Sequence, residues 1–337
     1  MKPTLLAIAL ACLAAGPGGC GDNMALLIKP VPADQTLEET QVQTDPGWVS
    51  AKIALLDVDG LLINRRTGML ERGDNPVSTL LEKLDRAGDD ADVKAVVLRI
   101  NSPGGTVQAS ETMYQAVRRF RNGAGKPVIA CITDVGASGG YYVACAADRI
   151  LCQPSSITGS IGVVIQTVSF AGTMAKLGIA AEAVTSGELK TMGSPLKDLT
   201  DKERKVFQAI VDEFYDRFVT VVAGARKKLP ADRTRKLADG RVYTGRQALA
   251  LGLVDRLGDV KDAIGEAKRA AGLDKAKVVM YHRPLGYCAN VYSAAAGPPG
   301  GLQVNLLNIQ GAEMLLLRQP SFLYLWSTDL PVVSGGS

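Results

Sequence analysis

Histidine is almost missing from this chain, since His282 is the single histidine among 337 residues. A metal site built on histidine ligands is therefore not expected, and the cysteines contain no C-x-x-C pair that would favour zinc. A Ser-His-Asp triad is restricted to this one histidine. If a serine performs nucleophilic chemistry here, we expect a different base, and we expect neither metal nor cofactor.

Aromatic residues and net charge are also sparse, at 5% of the chain and +4. A nucleic-acid surface usually shows a strong basic stripe or basic runs interleaved with aromatics, and neither occurs here. The local basic clusters, residues 226–228 and 233–236, are typical of a solvated helix end and loop, with a membrane-surface patch as the alternative. We therefore expect no nucleic-acid partner.

Long apolar runs are lacking at the N-terminus, where residues 5–15 form a stretch of only 11 residues. A membrane span needs about 20 residues. Lys2 precedes this stretch and Gly18-Gly19-Cys20 follows it, so residues 1–20 are typical of an export signal. The ending resembles a bacterial lipoprotein signal, in which Cys20 is lipidated, although Pro17 departs from the usual aliphatic residue. Export is predicted, and the alternatives of lipidation at Cys20, plain cleavage and an uncleaved anchor stay open.

Apolar residues at 47% and charged residues at 21% are typical of a globular chain. Residues 21–48 are predicted as a linker. Short apolar runs at 53–56, 95–98, 128–130 and 162–165 alternate with amphipathic stretches at 76–87, 107–121 and 141–147, which predicts a buried, mainly parallel α/β sheet. The body is predicted over 49–285, and 286–337 is predicted as a linker followed by an apolar arm.

Helix boundaries and cysteine burial are also predicted. Residues 200–203 and 244–247 are capping-box patterns that start helices, and Gly252 is a natural terminator for the second of these. Residues 181–185 are strand-like. Cys131, Cys145 and Cys152 lie in apolar segments, which favours buried free thiols.

Three glycine-rich turns carry the candidate chemistry, at 101–105, 136–140 and 159–162. In the first two a predicted strand ends and a helix begins, which places free backbone N–H groups where they can stabilise an oxyanion. Ser138 lies in the second turn, followed by Gly139. A plain tight turn is the alternative interpretation of this serine.

The base must come from another titratable residue. A lysine can serve if burial in an apolar pocket favours its neutral form. Lys190 is the best candidate, because it follows the strand-like segment and has small, polar neighbours. The alternative interpretation is that Lys190 is a solvated surface lysine.

Taken together, residues 101–105, 134–142, 159–163, 190–195 and 244–255 resemble, in this order, the signal peptide peptidase A (protease IV) family of bacterial serine peptidases. The resemblance covers about residues 50–285. It implies a Clp-protease/crotonase-like fold with repeated β-β-α units. It implies Ser138 as nucleophile, Lys190 as general base, backbone oxyanion donors at Gly105 and Gly139, and Ser160 as the residue that orients the lysine.

The resemblance also implies a location, a substrate class and an assembly state. The expected protein is an exported, membrane-associated serine endopeptidase whose active site lies outside the cytoplasm and which hydrolyses apolar, extended peptides such as remnant signal peptides. A homo-oligomeric ring or dome is expected, with both dyad residues supplied by one protomer. Leu189 and Thr191 depart from the aromatic residue and the aspartate that many relatives carry there. The alternatives are a crotonase-type acyl-CoA enzyme and a catalytically silent peptide-binding scaffold.

Overall fold

A computed structural model describes residues 36–65, 74–284, 291 and 321–326, and the elements named here belong to that part of the chain. The strands are β1 (Glu38–Thr44), β2 (Lys52–Leu62), β3 (Val93–Thr106), β4 (Val128–Ala137), β5 (Arg149–Cys152), β6 (Ile157–Gly159), β7 (Val164–Ile165), β8 (Val242–Thr244), β9 (Arg256–Leu257), β10 (Lys277–His282) and β11 (Phe322–Leu325). The helices are α1 (Pro76–Asp89), α2 (Val107–Ala124), α3 (Gly139–Ala144), α4 (Ala171–Lys176), α5 (Asp201–Ala225), α6 (Ala231–Leu237), α7 (Gly245–Leu251) and α8 (Val260–Ala270), with a 3-10 turn at Glu188–Thr191.

The body is organised by one sheet with the strand order β1-β10-β2-β3-β4-β5-β9. Neighbouring strands from β10 to β9 are parallel, and β1 runs antiparallel to β10. Successive side chains point to opposite faces, so that Leu56 and Leu98 join the core under α1 and α2, whereas Leu55 and Val97 join the core under α8. Burial on both faces accounts for the continuous apolar runs in the sequence. The predicted α/β class is confirmed.

The two central strands bend, and each serves two sets of partners. The pairing of β3 with β4 shifts register between Ile100 and Ser102, and the end of β3 pairs with β11. Strand β4 pairs with β5 through residues 129–132 and with β6 through residues 135–137. Each bent strand leads into a helix, α2 or α3. The predicted repeat of two strands and a helix is therefore present. In each repeat the two strands are consecutive parts of one bent strand.

Local capping chemistry sets the helix boundaries. The Thr200 hydroxyl accepts a hydrogen bond from the Glu203 N–H at 3.3 Å, and the Glu203 carboxylate accepts one from the Thr200 N–H at 3.0 Å, which starts α5. The same reciprocal pair starts α7 at Thr244. Helix α7 ends at Gly252, whose φ of 79° lies in the left-handed region that glycine adopts without strain. These three predictions are confirmed.

Two segments differ from their sequence-based interpretation. Residues 38–44, which fall in the predicted linker, form β1 and pair with β10. This edge strand is mostly polar and partly exposed, so it lacks the apolar run that identifies a buried strand. Residues 181–185 are exposed and form no strand in the described chain. An apolar pattern is not sufficient for a strand, because a strand also needs a neighbouring strand with which to form hydrogen bonds.

Several predictions concern residues outside the described part of the chain, including the signal at 1–20, Cys20, and most of the arm at 286–337. Among the described residues, no helix has the length and apolar character needed to cross a membrane. The same residues contain no group of side chains arranged to hold a metal ion. Cys131, Cys145 and Cys152 are buried, as predicted.

Candidate active site

Ser138 lies between β4 and α3, where the chain turns sharply. Its φ of 51° and ψ of −117° are a combination that glycine adopts readily and other residues rarely adopt. Hydrogen bonds hold the turn on both sides, because the Ser138 N–H donates to the Gly159 carbonyl at 2.8 Å and its carbonyl accepts from the Tyr142 N–H at 2.9 Å. Backbone strain of this kind costs about 1–3 kcal/mol and is concentrated at functional positions.

Ser138 is buried, with only 1% of its surface exposed. The hydroxyl has no hydrogen-bond partner among the described residues. Within that part of the chain, the Tyr281 hydroxyl is the only fully buried side-chain polar atom that lacks a partner. No hydrogen bond among the described residues therefore engages the Ser138 hydroxyl, as expected of a reacting group and not of a packing residue.

The glycine segments predicted to form the oxyanion hole converge beside Ser138. Gly104, with φ 104°, lies so close to α3 that a side-chain carbon added there would be 2.7 Å from the Gly139 nitrogen. Gly139 is the first residue of α3, so its N–H has no partner within the helix. Gly105 follows on β3, where an added carbon would collide with the Leu62 backbone. Only glycine allows these close approaches.

Ser102 holds the first glycine segment in position, a role that the sequence did not reveal. Its hydroxyl donates to the Gly60 carbonyl at 2.6 Å and accepts from the Gly104 N–H at 3.1 Å. The side chain is fully buried, so these two hydrogen bonds are not exchanged with water. The sequence signal that could have identified this role is a serine directly before Pro-Gly-Gly.

Ser160, predicted to orient the lysine, is brought next to Ser138 by the pairing of β6 with β4. It directly follows Gly159, the residue that accepts the Ser138 N–H. Its φ is 49°, it is 7% exposed, and its N–H donates to the Arg241 carbonyl at 2.8 Å. The structure thus gathers Ser138, Ser160 and the glycine segments into one cluster.

Lys190 makes no hydrogen bond to this cluster in the described part of the chain. It lies in the exposed 3-10 turn Glu188–Thr191, and its ammonium has no hydrogen-bond partner among the described residues. The segment around it, residues 166–199, is defined here as the lysine arm. The exposed large apolar residues of this arm are Val168, Phe170, Leu177, Ile179, Val184 and Leu196.

A strand from the C-terminal region occupies the cleft beside the glycine segments. Strand β11 pairs antiparallel with β3, which places Tyr324 opposite Gly105, and pairs antiparallel with β7 on its other edge. The Tyr324 carbonyl lies so near Gly104 that any side chain there would collide with it. The Trp326 N–H donates to the Pro103 carbonyl at 2.8 Å. An extended chain therefore fits between β3 and β7.

The Tyr324 side chain fills an aromatic pocket and is fully buried. Its ring stacks on Tyr142 with centroids 5.1 Å apart, and its centroid lies 4.7 Å from that of Phe218. Its hydroxyl donates to the Phe214 carbonyl at 2.8 Å. Aromatic pairs add about 0.5–1.5 kcal/mol to the effect of burial alone. The pocket thus accepts a large aromatic side chain, and the Phe214 carbonyl at its far end accepts a hydrogen bond from that side chain.

A charge-paired network forms the outer wall of this pocket. The Tyr142 hydroxyl donates to the Glu111 carboxylate, and Arg217 forms an ion pair with the same carboxylate at 2.8 Å. Burial alone would raise the pKa of the Glu111 carboxyl, but the hydrogen bonds from Arg217 and Tyr142 outweigh it and lower the pKa. Burial, together with Glu111, raises the pKa of the Tyr142 hydroxyl. At neutral pH the wall therefore holds an ionised carboxylate and a neutral phenol.

His282 lies on β10, far from Ser138. Two strands, β2 and β3, separate β10 from β4 in the sheet, so the two strands are about 14 Å apart. The His282 Nδ1 is 2.8 Å from the Arg283 carbonyl, and Nε2 is 2.7 Å from the Thr40 hydroxyl. Because a carbonyl only accepts, Nδ1 carries the proton and Nε2 accepts from Thr40. Both ring nitrogens are engaged in joining β10 to its surroundings, and no Ser-His pair forms.

With this geometry in hand, comparison with known proteins identifies the family. A family model described as peptidase family S49 matches residues 121–274. A putative signal peptide peptidase SppA of Enterococcus faecium is 34% identical over 245 residues, which cover 72% of this chain and 71% of that protein. The chain belongs to peptidase family S49. It is therefore a peptidase, and the family favours this activity over the acyl-CoA enzyme and the silent scaffold.

Other similar proteins differ in length. A putative protease of Methanocaldococcus jannaschii is 35% identical over 231 residues, covering 68% of this chain and 73% of that protein. Protease 4 of Haemophilus influenzae is 35% identical over 221 residues, covering 66% of this chain but only 35% of that protein. Among solved structures, a ClpP1 mutant of Listeria monocytogenes has a TM-score of 0.41 at 14% identity, covering 62% of this chain and 94% of that chain.

Proposed function

We propose that this S49 peptidase is an endopeptidase in which Ser138 is the nucleophile, Lys190 the general base and Ser160 the residue that orients the lysine. The observation that carries the proposal is the Ser138 turn, where a hydroxyl without a hydrogen-bond partner is held in a strained conformation beside two converging glycine segments. Strain maintained by surrounding hydrogen bonds is expected at a reacting residue and is a needless cost in a plain turn.

The chemical steps follow from the cluster. Ser138 attacks the peptide carbonyl as Lys190, in its neutral form, takes the hydroxyl proton. The negative charge that develops on the carbonyl oxygen is stabilised by the backbone N–H groups of Gly105 and Gly139. Lys190 then donates the proton to the leaving amine. The same lysine activates the water that hydrolyses the acyl-enzyme.

The lysine must approach Ser138 before these steps can occur. In the single chain Lys190 is exposed, whereas a lysine base needs a drier setting that favours its neutral form. The lysine arm carries six exposed large apolar side chains, more than a solvated loop needs. We propose that the arm packs against a second copy of the chain, which desolvates Lys190. A homo-oligomer is therefore part of the proposed active form.

The substrates that fit are apolar peptides in an extended conformation. Strand β11 supports this choice, since it lies in the cleft as an antiparallel strand with a buried aromatic side chain. A substrate segment would pair with the same edges of β3 and β7, with main-chain hydrogen bonds giving affinity and the aromatic pocket giving selectivity. Remnant signal peptides are of this chemical class, and they are the proposed substrates.

Export and membrane association complete the proposal. They are supported by the apolar stretch at 5–15 with Lys2 before it and Gly-Gly-Cys after it. The active site would then lie outside the cytoplasm, close to apolar peptides in the membrane. The mass of the N-terminal peptide, measured on protein purified from the membrane fraction, distinguishes lipid on Cys20 from plain cleavage and from an uncleaved anchor.

The central test compares variants of the full chain in detergent micelles on an apolar peptide that contains tyrosine. Ser138→Ala and Lys190→Ala are each expected to lower kcat/KM by about a thousandfold or more. Lys190→Arg is expected to be equally inactive, because arginine keeps the charge but cannot act as a base. Lys176→Ala, which removes another exposed lysine of the same arm, is the matched control and should keep full activity. Activity in Lys190→Ala close to that of the parent would refute the dyad.

A further inference from the structure

A second cavity lies at the opposite end of α3 from Ser138, and none of the proposed catalytic steps uses it. This cleft, called here the basic cleft, has a volume of about 780 Å³ and lies between α2, the C-terminal half of α5 and the end of α7. It reaches Cys145, which directly follows α3, and Ala147 just beyond it. Because α3 has six residues, its two ends are separated by about 9 Å.

Positive charge dominates the lining of the basic cleft. Six basic side chains face it, whereas only two acidic ones do. These eight residues are Arg118, Arg121, Arg217, Arg226, Lys227, Lys228, Asp148 and Asp255. A concave surface lined by charges of one sign focuses the electrostatic potential and attracts ions of the opposite sign.

Three of the six cations are already neutralised by carboxylates. Arg226 pairs with Asp255 at 2.7 Å, Arg121 pairs with Asp148 at 3.5 Å, and Arg217 pairs with Glu111 at 2.8 Å. The other three, Arg118, Lys227 and Lys228, have no carboxylate partner in the described part of the chain. Arg118 instead lies over the Tyr114 ring, 5.7 Å from its centroid. The cleft therefore retains uncompensated positive charge.

The cationic groups differ in exposure and in the number of hydrogen bonds that hold them, in a way that suits an oxyanion. Arg226 is 9% exposed and is fixed by hydrogen bonds to Asp255 and to the Gly252 carbonyl, the latter at 3.0 Å. Arg121 is fixed by the Ala146 carbonyl at 2.9 Å. Lys227 and Lys228 are exposed at the rim. Planar guanidinium groups recognise phosphate with paired hydrogen bonds, and flexible lysines add point charge.

We propose that the basic cleft binds a phosphate-bearing anion, supplied either as a small soluble molecule or as a phospholipid headgroup. A volume of about 780 Å³ lies within the range of small-molecule sites, roughly 300–1,000 Å³, and is much larger than one inorganic ion needs. The site lies outside the Ser138 cluster. It requires neither the catalytic role of Ser138 nor that of Lys190.

The test uses the full chain in detergent and two double variants that remove the same charge. Arg118→Gln with Lys228→Gln changes the cleft. Arg119→Gln with Lys261→Gln changes two exposed basic residues that do not line it. Binding of inorganic pyrophosphate is measured by calorimetry. Binding to phosphatidylglycerol vesicles, with phosphatidylcholine vesicles for comparison, is measured by flotation after reconstitution.

The cleft variant is expected to bind its ligand about tenfold more weakly than the parent, and the control variant within about twofold of it, because each lost charged hydrogen bond weakens binding substantially. Pyrophosphate binding that is weakened only in the cleft variant identifies a soluble phosphate ligand. A phosphatidylglycerol preference lost only in the cleft variant identifies a headgroup. Equal effects of both double variants, or no saturable binding of either probe, would overturn the proposal. Lys228→Gln alone, at an exposed position, should weaken binding in the same direction without affecting folding.

Discussion

At the scale of single residues, the conformation of Ser138 is the most informative feature. Its positive φ is imposed by contacts to Gly159 and Tyr142 and not by the residue's own preference. The turn therefore holds a side chain where glycine would be less strained. A serine retained at such a position makes sense if its hydroxyl is needed there.

The strained turn at Ser138 predicts an unusual order of stabilities. Ser138→Gly should relieve the backbone strain that Ser138→Ala retains, so the glycine variant should be more stable than the alanine variant by about 1 kcal/mol. At positions with an ordinary negative φ, a glycine variant is usually less stable than an alanine variant. Urea denaturation followed by circular dichroism measures the difference, and both variants should be inactive. An alanine variant more stable than the glycine variant would show that the turn is unstrained.

A second residue-scale prediction concerns the ion pair between Arg226 and Asp255. Burial would raise the pKa of the Asp255 carboxyl, but hydrogen bonds from Arg226 and the Ile150 N–H outweigh it and lower the pKa. Because the pKa is lowered in the folded chain, the stabilisation is complete above the unfolded-state value of about 3.9 and is lost as pH falls through the folded-state value.

Asp255→Asn should therefore lower the free energy of unfolding at pH 7 by about 2 kcal/mol, less than for a fully buried pair because the Asp255 side chain is 31% exposed. As pH falls below about 4, the difference between the variant and the parent should shrink, because protonation of Asp255 removes the ion pair from the parent. Asp239→Asn, which breaks an exposed pair with Arg241, is the control and should change little at either pH. Denaturation curves from pH 7 to pH 3 provide the measurement, and a pH-independent difference would contradict the assignment.

At the scale of elements, β11 has the greatest consequence for function. It completes the pairing of β3 and β7 and fills the aromatic pocket with Tyr324, in the groove proposed for substrates. Substrate and β11 would then compete for the same edges and the same pocket. The segment needs to leave, at least partly, for a peptide to enter.

A chain shortened to residue 320 should consequently hydrolyse an apolar peptide with a lower KM than the full chain, with kcat less affected. Tyr324→Ala should act in the same direction, because it removes the ring from the pocket and weakens the docking of β11. Steady-state kinetics at several peptide concentrations separate KM from kcat. A raised KM in both variants would mean that β11 supports the groove and does not compete for it.

At the scale of the whole molecule, the exposure of Lys190 governs what the active unit must be. The sequence resemblance implied that one protomer supplies both dyad residues. The described chain instead presents Lys190 on an exposed arm with apolar side chains around it. Assembly of several copies offers a way to bury that arm and to bring a lysine to a serine.

Mixing two inactive variants tests whether the lysine and the serine of one active site come from different copies. Ser138→Ala and Lys190→Ala, dissociated and reassembled together, should regain part of the parent activity if the serine and the lysine come from different copies. Each variant reassembled alone should stay inactive, and reassembled parent protein serves as the recovery standard. Light scattering reports the assembly state of each sample. Oligomers that form normally but show no recovered activity would mean that each protomer supplies its own dyad.

Most of the α/β framework could be predicted because it follows from local patterns. Continuous apolar runs identified the strands that are buried on both faces, and capping residues such as Thr200 and Thr244 identified helix starts. Strand β1 was missed because an edge strand needs no apolar run. Ser138 was found because glycines on both sides of a serine leave a local trace in the sequence.

The sequence by itself determined the strands buried on both faces, the capped helix starts, the glycine turns, and the near absence of histidine that points the search for a base toward lysine. These properties depend on neighbouring residues and on composition. Only the tertiary structure decided that Ser160 lies beside Ser138, that Tyr324 on β11 reaches Gly105, and that Lys190 is exposed. Contacts between residues far apart in the chain depend on sheet pairing and packing, which no local periodicity encodes.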